Sequence, residues 1–399
     1  MHNKKNVIVI GGGGGNDIFS ATVYIHHLEQ QYNFEKIALA GVLGFTPFHS
    51  NSIVCELKTG TIHTEQPLIQ PTENFARYLM YNPPRKIRNT EHILPKVCKE
   101  FIPFIENRYV CISSKYSPKI QAKNLQNQLN EWGMSVEDTL VIVVDFGGDI
   151  LTDGNQDSII SPGLDAYTLS IVHYMPNLSY VTVCFPGVDG ELDVEYLSKL
   201  CKLNKEKIEP SLWLTHFQNL FEYFKNIRPG NTIPNMINIL TNLQNKNNED
   251  FDILIKKGWR IGDQVINHEH KMNTNIKIQR FIYTFKLEDI VKQNIFCYLD
   301  DDYTLIKMLG HIMEIYKKQG KQGYQSSDFH LQYLRKDSNG QWSSKQLSFD
   351  FGDVLFVNMY PSVLNAEEIE NVSKDIPKIK TNKVFTQELT DLYSEFYCK

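Results

Sequence analysis

No apolar run in this sequence approaches the roughly 18 residues that a membrane-spanning helix needs, so no transmembrane segment is predicted. The N-terminus also lacks the basic-then-apolar layout of a secretory signal, because a strand pattern begins at residues 6–10. We therefore expect the chain to fold in the cytoplasm, with export by another kind of signal left open. The net charge of −5 comes without a basic stripe, which argues against nucleic acid as a partner.

Cysteine is present but is not arranged for cross-links or for zinc. The seven cysteines are odd in number, and most lie inside apolar patterns, as at Val110-Cys111-Ile112. This pattern is typical of reduced core residues. No Cys-x-x-Cys or His-x-x-x-His pair indicates a zinc site, and no cofactor is predicted.

One unit recurs through the first half of the chain: an apolar strand, a small-residue or acidic loop, and a helical pattern. The predicted strands cover residues 6–10, 37–43, 108–112, 139–144 and 180–185. Such alternation predicts an α/β fold with a mostly parallel three-layer sheet of the Rossmann-like kind. We predict an α/β catalytic core over residues 1–205, a mainly helical extension over 206–300, and an α+β region over 301–399.

A glycine run follows the first predicted strand. Residues 11–15 are all glycine, and Asn16 and Asp17 come directly before a helical pattern. Glycine lets the backbone approach an anion, and the N–H groups at a helix N-terminus point towards it, so this loop is a candidate phosphate cradle. The spacing is neither a Walker loop nor a clean dinucleotide fingerprint, and a glycine run can also be a simple tight turn.

An acidic loop follows the strand predicted at residues 139–144. In open α/β sheets, ligands bind outside the carboxyl ends of the strands, and a further Gly- and Asp-containing loop, residues 186–191, falls at the same edge. An Asp-rich loop can also be solvated turn chemistry. The catalytic candidates are Asp149 and Asp165 as the leading pair, then Asp153 and Asp157, with Asp145 as a strand-end residue.

Amides on one side and carboxylates on the other suit a substrate with a phosphate half and a cationic or sugar half, such as ADP-ribose attached to arginine. Cleavage of its N-glycosidic bond passes through an oxocarbenium-like state, which calls for two carboxylates. The same carboxylates could instead hold Mg²⁺ or Ca²⁺, but metal-free acid/base chemistry is preferred because the aspartates lack the alternation of a calcium loop. The expected substrate contacts are Gly12, Gly13, Gly14, Gly15, Asn16, Asp17, Gly147, Gly148, Gly187, Asp189 and Gly190.

The glycine run, the acidic loop with Ser161-Pro-Gly-Leu-Asp-Ala166, and residues 186–191 together resemble a family of prokaryotic domains of unassigned function. Within that group the chain resembles the macrodomain-like arginine ADP-ribosylhydrolase effectors that intracellular bacterial pathogens inject into host cells. The resemblance implies ADP-ribose binding by the glycine loop, catalysis by the aspartate loop, and reversal of a modification made by a paired transferase effector. It also implies an ADP-ribosylated host protein as partner, with the mitochondrial ADP/ATP translocase as the candidate.

Two other functions stay open at this point. The first is a nucleoside or nucleotide N-ribosyl hydrolase that uses a metal bound by the same aspartates. The second is a non-catalytic module that binds ADP-ribose or a dinucleotide, in which the glycine loop matters and the aspartates do not. The Asn-Ala-Ala-Asn segment of ordinary macrodomains is absent from the sequence.

Overall fold

The structure is a computed structural model that describes residues 4–14, 17–42, 67–70, 93–112, 116–156, 162–200, 204–224, 232–245, 250–261, 264–297, 299, 311, 315, 331–336, 342–344 and 354–358. The described strands are β1 (Asn6–Gly14), β2 (Lys36–Val42), β3 (Leu68–Ile69), β4 (Tyr109–Ile112), β5 (Thr139–Phe146), β6 (Ser179–Cys184), β7 (Lys205–Lys207), β8 (Asp250–Ile261), β9 (Gln264–Asn275), β10 (Phe281–Lys286), β11 (Leu331–Lys336), β12 (Trp342–Ser344) and β13 (Val354–Asn358). The described helices are α1 (Asp17–Gln31), α2 (Leu94–Phe101), α3 (Pro118–Glu131), α4 (Pro162–His173), α5 (Val194–Leu200), α6 (Pro210–Phe224), α7 (Thr232–Asn245), α8 (Ile276–Gln279) and α9 (Leu287–Gln293).

The main sheet confirms the predicted α/β architecture. In the part of the chain that the structure describes, it has eight strands in the order β3-β4-β2-β1-β5-β6-β10-β7. The strands β4, β2, β1, β5 and β6 are parallel to one another, whereas β3 and β10 run antiparallel to their neighbours. The parallel strands have the order of a Rossmann-like sheet, in which the chain changes direction between β1 and β5. Loops that follow β1 and β5 therefore border one crevice.

Each parallel strand is buried on both faces, which explains its continuous apolar sequence. On β1, Val7 and Val9 pack into one core with helices α1, α2, α6 and α7. Ile8 and Ile10 alternate with them and pack into a second core with α3, α4 and α9. Because successive strand residues point to opposite faces, one short apolar run serves two helical layers.

Local signals explain where the helices begin. Helix α3 begins after Ser117, whose hydroxyl oxygen accepts from the backbone N–H of Ile120, and Pro118 occupies the first helical position. It ends before Gly133, which has a φ of +67° that suits glycine.

The region predicted as a mainly helical extension, residues 206–300, contains α6 and α7 but also strands. β8 and β9 form a separate hairpin, paired from Asp250 and Asn275 to Ile261 and Gln264. Strand β10 joins the main sheet beside β6. Further on, β11, β12 and β13 form an antiparallel sheet of their own within the α+β region predicted over residues 301–399, most of which lies outside the described residues.

None of the helices that the structure describes combines the length and the apolar composition needed to cross a membrane.

The packing of α6 against the end of β5 generates a prediction for stability. Phe217 is fully buried, and its ring lies 5.9 Å from those of Phe146 and Phe185. We expect Phe217→Ala to lower the free energy of unfolding by about 3–5 kcal/mol, because it removes a buried ring and leaves a cavity. The measurement is the urea midpoint. Ile120→Ala, at a side chain that is 49% exposed, is the control and should shift the urea midpoint little. Equal shifts in the two variants would contradict the packing described.

Candidate active site

Three elements bring carboxylates together at the carboxyl edge of the sheet. Asp145 lies near the end of β5, Asp149 begins the 3-10 turn Asp149–Leu151, and Asp165 lies in the first turn of α4. One oxygen from each of these side chains lies within 4.8 Å of the other two. All three side chains are buried. We call residues 145–156 the first acidic loop.

The glycine turn after β1 meets this group directly. Gly13 has a φ of +77°, and a Cβ atom placed on it would lie 2.7 Å from Oδ2 of Asp17 and 3.1 Å from Oδ1 of Asp165. A Cβ atom on Gly12 would lie 3.3 Å from Cβ of Asp145. Glycine is thus required because the carboxylates approach the backbone closely, and the two loops that follow β1 and β5 face each other.

A second acidic loop, residues 185–191, comes from the end of β6. Gly147 has a φ of +144°, and a Cβ atom on it would overlap the carboxylate of Asp189. The backbone N–H of Gly187 donates to the carbonyl of Gly147, and Oδ1 of Asp189 accepts from the N–H of Glu191 at 2.8 Å. Asp189 and Glu191 are both buried, so they add two carboxyl groups to the same region.

The crowding of carboxyl groups changes their acidity. Burial, followed by the neighbouring Asp189, raises the pKa of Asp145 well above its ordinary value, although the N–H groups of Gly148 and Ile150 donate to it and oppose the rise. Burial and then Asp165 raise the pKa of Asp149 well above its ordinary value, with smaller contributions from Asp145, Asp189 and Glu191. Like charges in one poorly hydrated space favour protonated forms or a bound cation.

Comparison with known proteins places the chain in a family. The family model for a protein of unknown function, DUF1152, matches residues 8–209, just over half of the 399 residues. The chain belongs to the DUF1152 family. Neither a curated protein nor a solved structure matches it. The DUF1152 segment contains the glycine turn and both acidic loops, so the site described above is a feature of the matched segment.

The structure brings together several of the residues predicted from sequence. Asp145, Asp149 and Asp165 form one group, and Gly12, Gly13 and Asp17 border it. Gly14 is the last residue of β1. Gly147, Gly148, Gly187, Asp189 and Gly190 lie in the two acidic loops, where all four of these glycines have positive φ.

Other predicted residues lie elsewhere. Asp153 is not part of the group of three: its Oδ1 accepts from the N–H of Asn155 at 2.9 Å and from the Gln156 amide at 2.7 Å, which makes it a turn residue of the first acidic loop. Gly15, Asn16 and Asp157 lie outside the described residues.

Glu191 is a site residue that the prediction from sequence missed. It is 5% exposed, and its charge contributes to the raised pKa of both Asp145 and Asp149. The available signal was its position at the end of the Gly- and Asp-containing run of residues 186–191, next to Asp189 in the sequence. Its burial could not be foreseen, because glutamates in loops are mostly exposed.

The geometry also fits a divalent cation. Oxygens on opposite sides of Ca²⁺ are separated by up to about twice the usual 2.3–2.6 Å bond, and carboxylates are its preferred ligands. The oxygens of Asp145, Asp149 and Asp165 meet that limit, since they lie within 4.8 Å of one another. These three residues would hold a cation, and they would also serve acid/base chemistry without one.

The raised pKa of Asp149 predicts how stability depends on pH. Because the folded chain holds the Asp149 proton more tightly than the unfolded chain, this group stabilises the fold below the ordinary carboxyl pKa, and that contribution is lost as pH rises through the raised pKa. In EDTA, we expect the Asp149→Asn variant to have a higher urea midpoint than wild type at neutral pH. Near pH 4 the two midpoints should be nearly equal.

Glu29→Gln, at an exposed position on α1, is the matched control and should follow the wild-type midpoint at every pH. A constant offset between Asp149→Asn and wild type from pH 4 to 8 would show that Asp149 is not held in its protonated form by its neighbours.

Proposed function

We propose that this protein is a hydrolase that removes ADP-ribose from arginine side chains of a protein. The observation that carries the proposal is the close approach of Gly13, in the glycine turn, to the carboxylates of Asp17 and Asp165, of which Asp165 is buried. In our proposal, backbone N–H groups of the glycine turn bind one end of the substrate and the carboxylates bind the other. ADP-ribosylarginine has a matching polarity, with a pyrophosphate at one end and a guanidinium beside a ribose at the other.

The position of the carboxylates determines how such a substrate would lie. Asp17 and Asp165 border Gly13, so a phosphate group at that position would meet negative charge. Ribose hydroxyls and the guanidinium suit this position, because they can donate hydrogen bonds to carboxylates. The pyrophosphate then belongs farther along the glycine turn.

The spacing of the carboxylates supports a reaction in two displacements. Retaining glycosidases place their two carboxyl groups about 5–5.5 Å apart, and inverting enzymes about 6.5–9.5 Å apart. One oxygen of Asp149 and one of Asp165 lie within 4.8 Å of each other, which is close to the spacing in retaining enzymes and shorter than that in inverting ones. In our proposal Asp165 attacks the anomeric carbon as the C–N bond breaks, and the departing guanidine nitrogen takes the proton of Asp149. Water then attacks the same carbon, the ester to Asp165 breaks, and a proton of the water returns to Asp149.

The proposed target rests on the resemblance in sequence alone. We propose that the protein acts after export into a host cell, where it reverses the action of a paired transferase effector. The mitochondrial ADP/ATP translocase is the candidate substrate protein.

Incubation with proteins that carry ADP-ribose on arginine, glutamate or serine, followed by mass spectrometry of released ADP-ribose, tests which amino acid is the acceptor.

Two substitutions test the reaction itself. Asp149→Asn and Asp165→Asn should each lower the release of ADP-ribose from an arginine-modified protein by at least about 100-fold, because each removes a group that acts in bond cleavage. The control is Asp138→Asn, directly before β5 at the opposite edge of the sheet. Binding of free ADP-ribose, measured by calorimetry, should survive in the Asp149 variant. Full turnover in both site variants would overturn the roles given to Asp149 and Asp165, whereas binding of ADP-ribose with no release by the wild-type protein would leave ligand binding without catalysis as the function.

A metal-dependent N-ribosyl hydrolase is the second candidate, since the oxygens of Asp145, Asp149 and Asp165 can reach a single cation. The two functions differ in their response to metals. A metal enzyme would lose activity in EDTA, regain it with Mg²⁺ or Ca²⁺, and cleave free nucleosides or nucleotides. We expect the hydrolysis of ADP-ribosylarginine to continue in EDTA. Cleavage of free nucleosides or nucleotides that is lost on chelation and recovered on adding metal would decide for the second candidate.

A further inference from the structure

Both acidic loops are held by side-chain amides from outside the DUF1152 segment. The first acidic loop receives two such hydrogen bonds, from Asn294 Nδ2 to the carbonyl of Ile150 at 3.3 Å and from Gln293 Nε2 to the carbonyl of Leu151 at 2.5 Å. The second acidic loop also receives two. Gln279 Nε2 donates to the carbonyl of Pro186 at 2.8 Å, and Asn235 Nδ2 donates to the carbonyl of Val188 at 3.3 Å.

These amides are themselves fixed by their surroundings. Asn235, Gln279 and Asn294 are at most 2% exposed. The backbone N–H of Asn294 donates to Ile290 at the end of α9, and its Oδ1 accepts from the N–H of Phe296 at 3.0 Å. Gln279 Nε2 also donates to Thr274 Oγ1 at 2.8 Å, at the base of the β8–β9 hairpin. Each amide therefore links an acidic loop to an ordered element beyond residue 209.

The same segment packs against both elements that carry the central carboxylates. Ile290 and Val291 of α9 share a core with Ile150, from the turn that begins at Asp149, and with Leu164, which precedes Asp165. The relative position of Asp149 and Asp165 thus depends on the chain that returns after β10.

The chemistry of the donors is informative. Lysine or arginine could also bind loop carbonyls, but a cation there would favour the ionised carboxylates and offset their charge. A carboxamide donates the same kind of hydrogen bond without a charge. The four side chains from beyond residue 209 that donate to the loop carbonyls here, those of Asn235, Gln279, Gln293 and Asn294, are all neutral carboxamides.

We propose that Asn294, Gln293, Gln279 and Asn235 are positioning residues that hold the two acidic loops together and leave their negative charge available to a cationic group of the substrate. The last clause rests on the proposed function, whereas the positioning itself does not. The catalytic unit of this protein then extends from the DUF1152 segment to about residue 297.

A double-mutant cycle tests the positioning without any activity. Asp149→Asn should raise the urea midpoint at pH 7 in EDTA, because it relieves repulsion with Asp165. In an Asn294→Leu background this rise should shrink, since the released turn allows Asp149 to move away from its neighbours. Gln293→Met provides a second background. We expect this variant to fold, because the Gln293 side chain is only half-buried.

Asn177→Leu is the matched control. Asn177 is also a buried amide that donates to backbone carbonyls, those of Val136 and Thr139, but at the amino edge of β5. It should lower the midpoint while leaving the rise caused by Asp149→Asn at its full size. An equal rise in the wild-type, Asn294→Leu and Gln293→Met backgrounds would overturn the proposal.

An activity measurement separates this proposal from the proposed function. With ADP-ribosylarginine protein as substrate, Asn294→Leu should lower kcat by about 100-fold with little change in KM, as expected for misplaced reacting groups. Asn177→Leu should leave kcat near the wild-type value. A wild-type protein that releases no ADP-ribose would refute the proposed function, and the cycle alone would then decide on positioning. If the wild-type protein is active and Asn294→Leu leaves kcat unchanged, the proposal that Asn294 is a positioning residue is overturned.

Discussion

Repulsion among buried carboxyl groups is the force that the rest of this site has to balance. Asp145, Asp149 and Asp165 place oxygens within 4.8 Å of one another, and Asp189 and Glu191 lie buried beside them. Removing an ion from water costs several kcal/mol even after the surroundings relax. Such a cluster keeps its shape only where the backbone that carries it is held in place. Backbone N–H groups and neutral amides hold it here, without cancelling the charge that a cationic substrate or a metal ion would use.

The topology of the sheet determines where the cluster forms. In Rossmann-like sheets, the ends of the two strands at the change of direction are a binding site, and phosphate groups often bind at the helix that follows the first strand. The present chain has the same crevice, but acidic residues lie where other Rossmann-like folds often bind phosphate. Its first helix begins with Asp17, and Asp165 from α4 lies beside the glycine turn. A fold commonly associated with anions thereby acquires a region suited to hydroxyl and cationic groups.

The segment beyond residue 209 also belongs to this arrangement. Strand β10 runs antiparallel beside β6, and the chain then passes through α9 to reach the first acidic loop. Asn177 ties the amino edge of β5 by the same kind of amide contact, and no acidic loop is involved there. Side-chain amides therefore fix the backbone at both edges of the sheet, whereas the acidic loops lie at the carboxyl edge.

Local patterns in the chain were sufficient to predict the α/β architecture and most of the central acidic residues. A strand covered on both faces must be continuously apolar, and the residues that follow it fall at one edge of a parallel sheet, so β1, β5, Gly13 and Asp149 could all be identified. The packing decided which of several similar aspartates meet. Asp153 forms a turn, whereas Asp165 joins the cluster.

Tertiary contacts alone decided the burial of Glu191 and the hydrogen bonds from distant amides. Asn294 and Ile150 are separated by 144 positions, and nothing near either residue in the sequence indicates the other. Their contact exists because β10 pairs with β6 and returns α9 to the carboxyl edge. Strand pattern and loop composition are local properties that a sequence displays directly, but the meeting of two remote segments depends on how the whole chain buries its apolar surface.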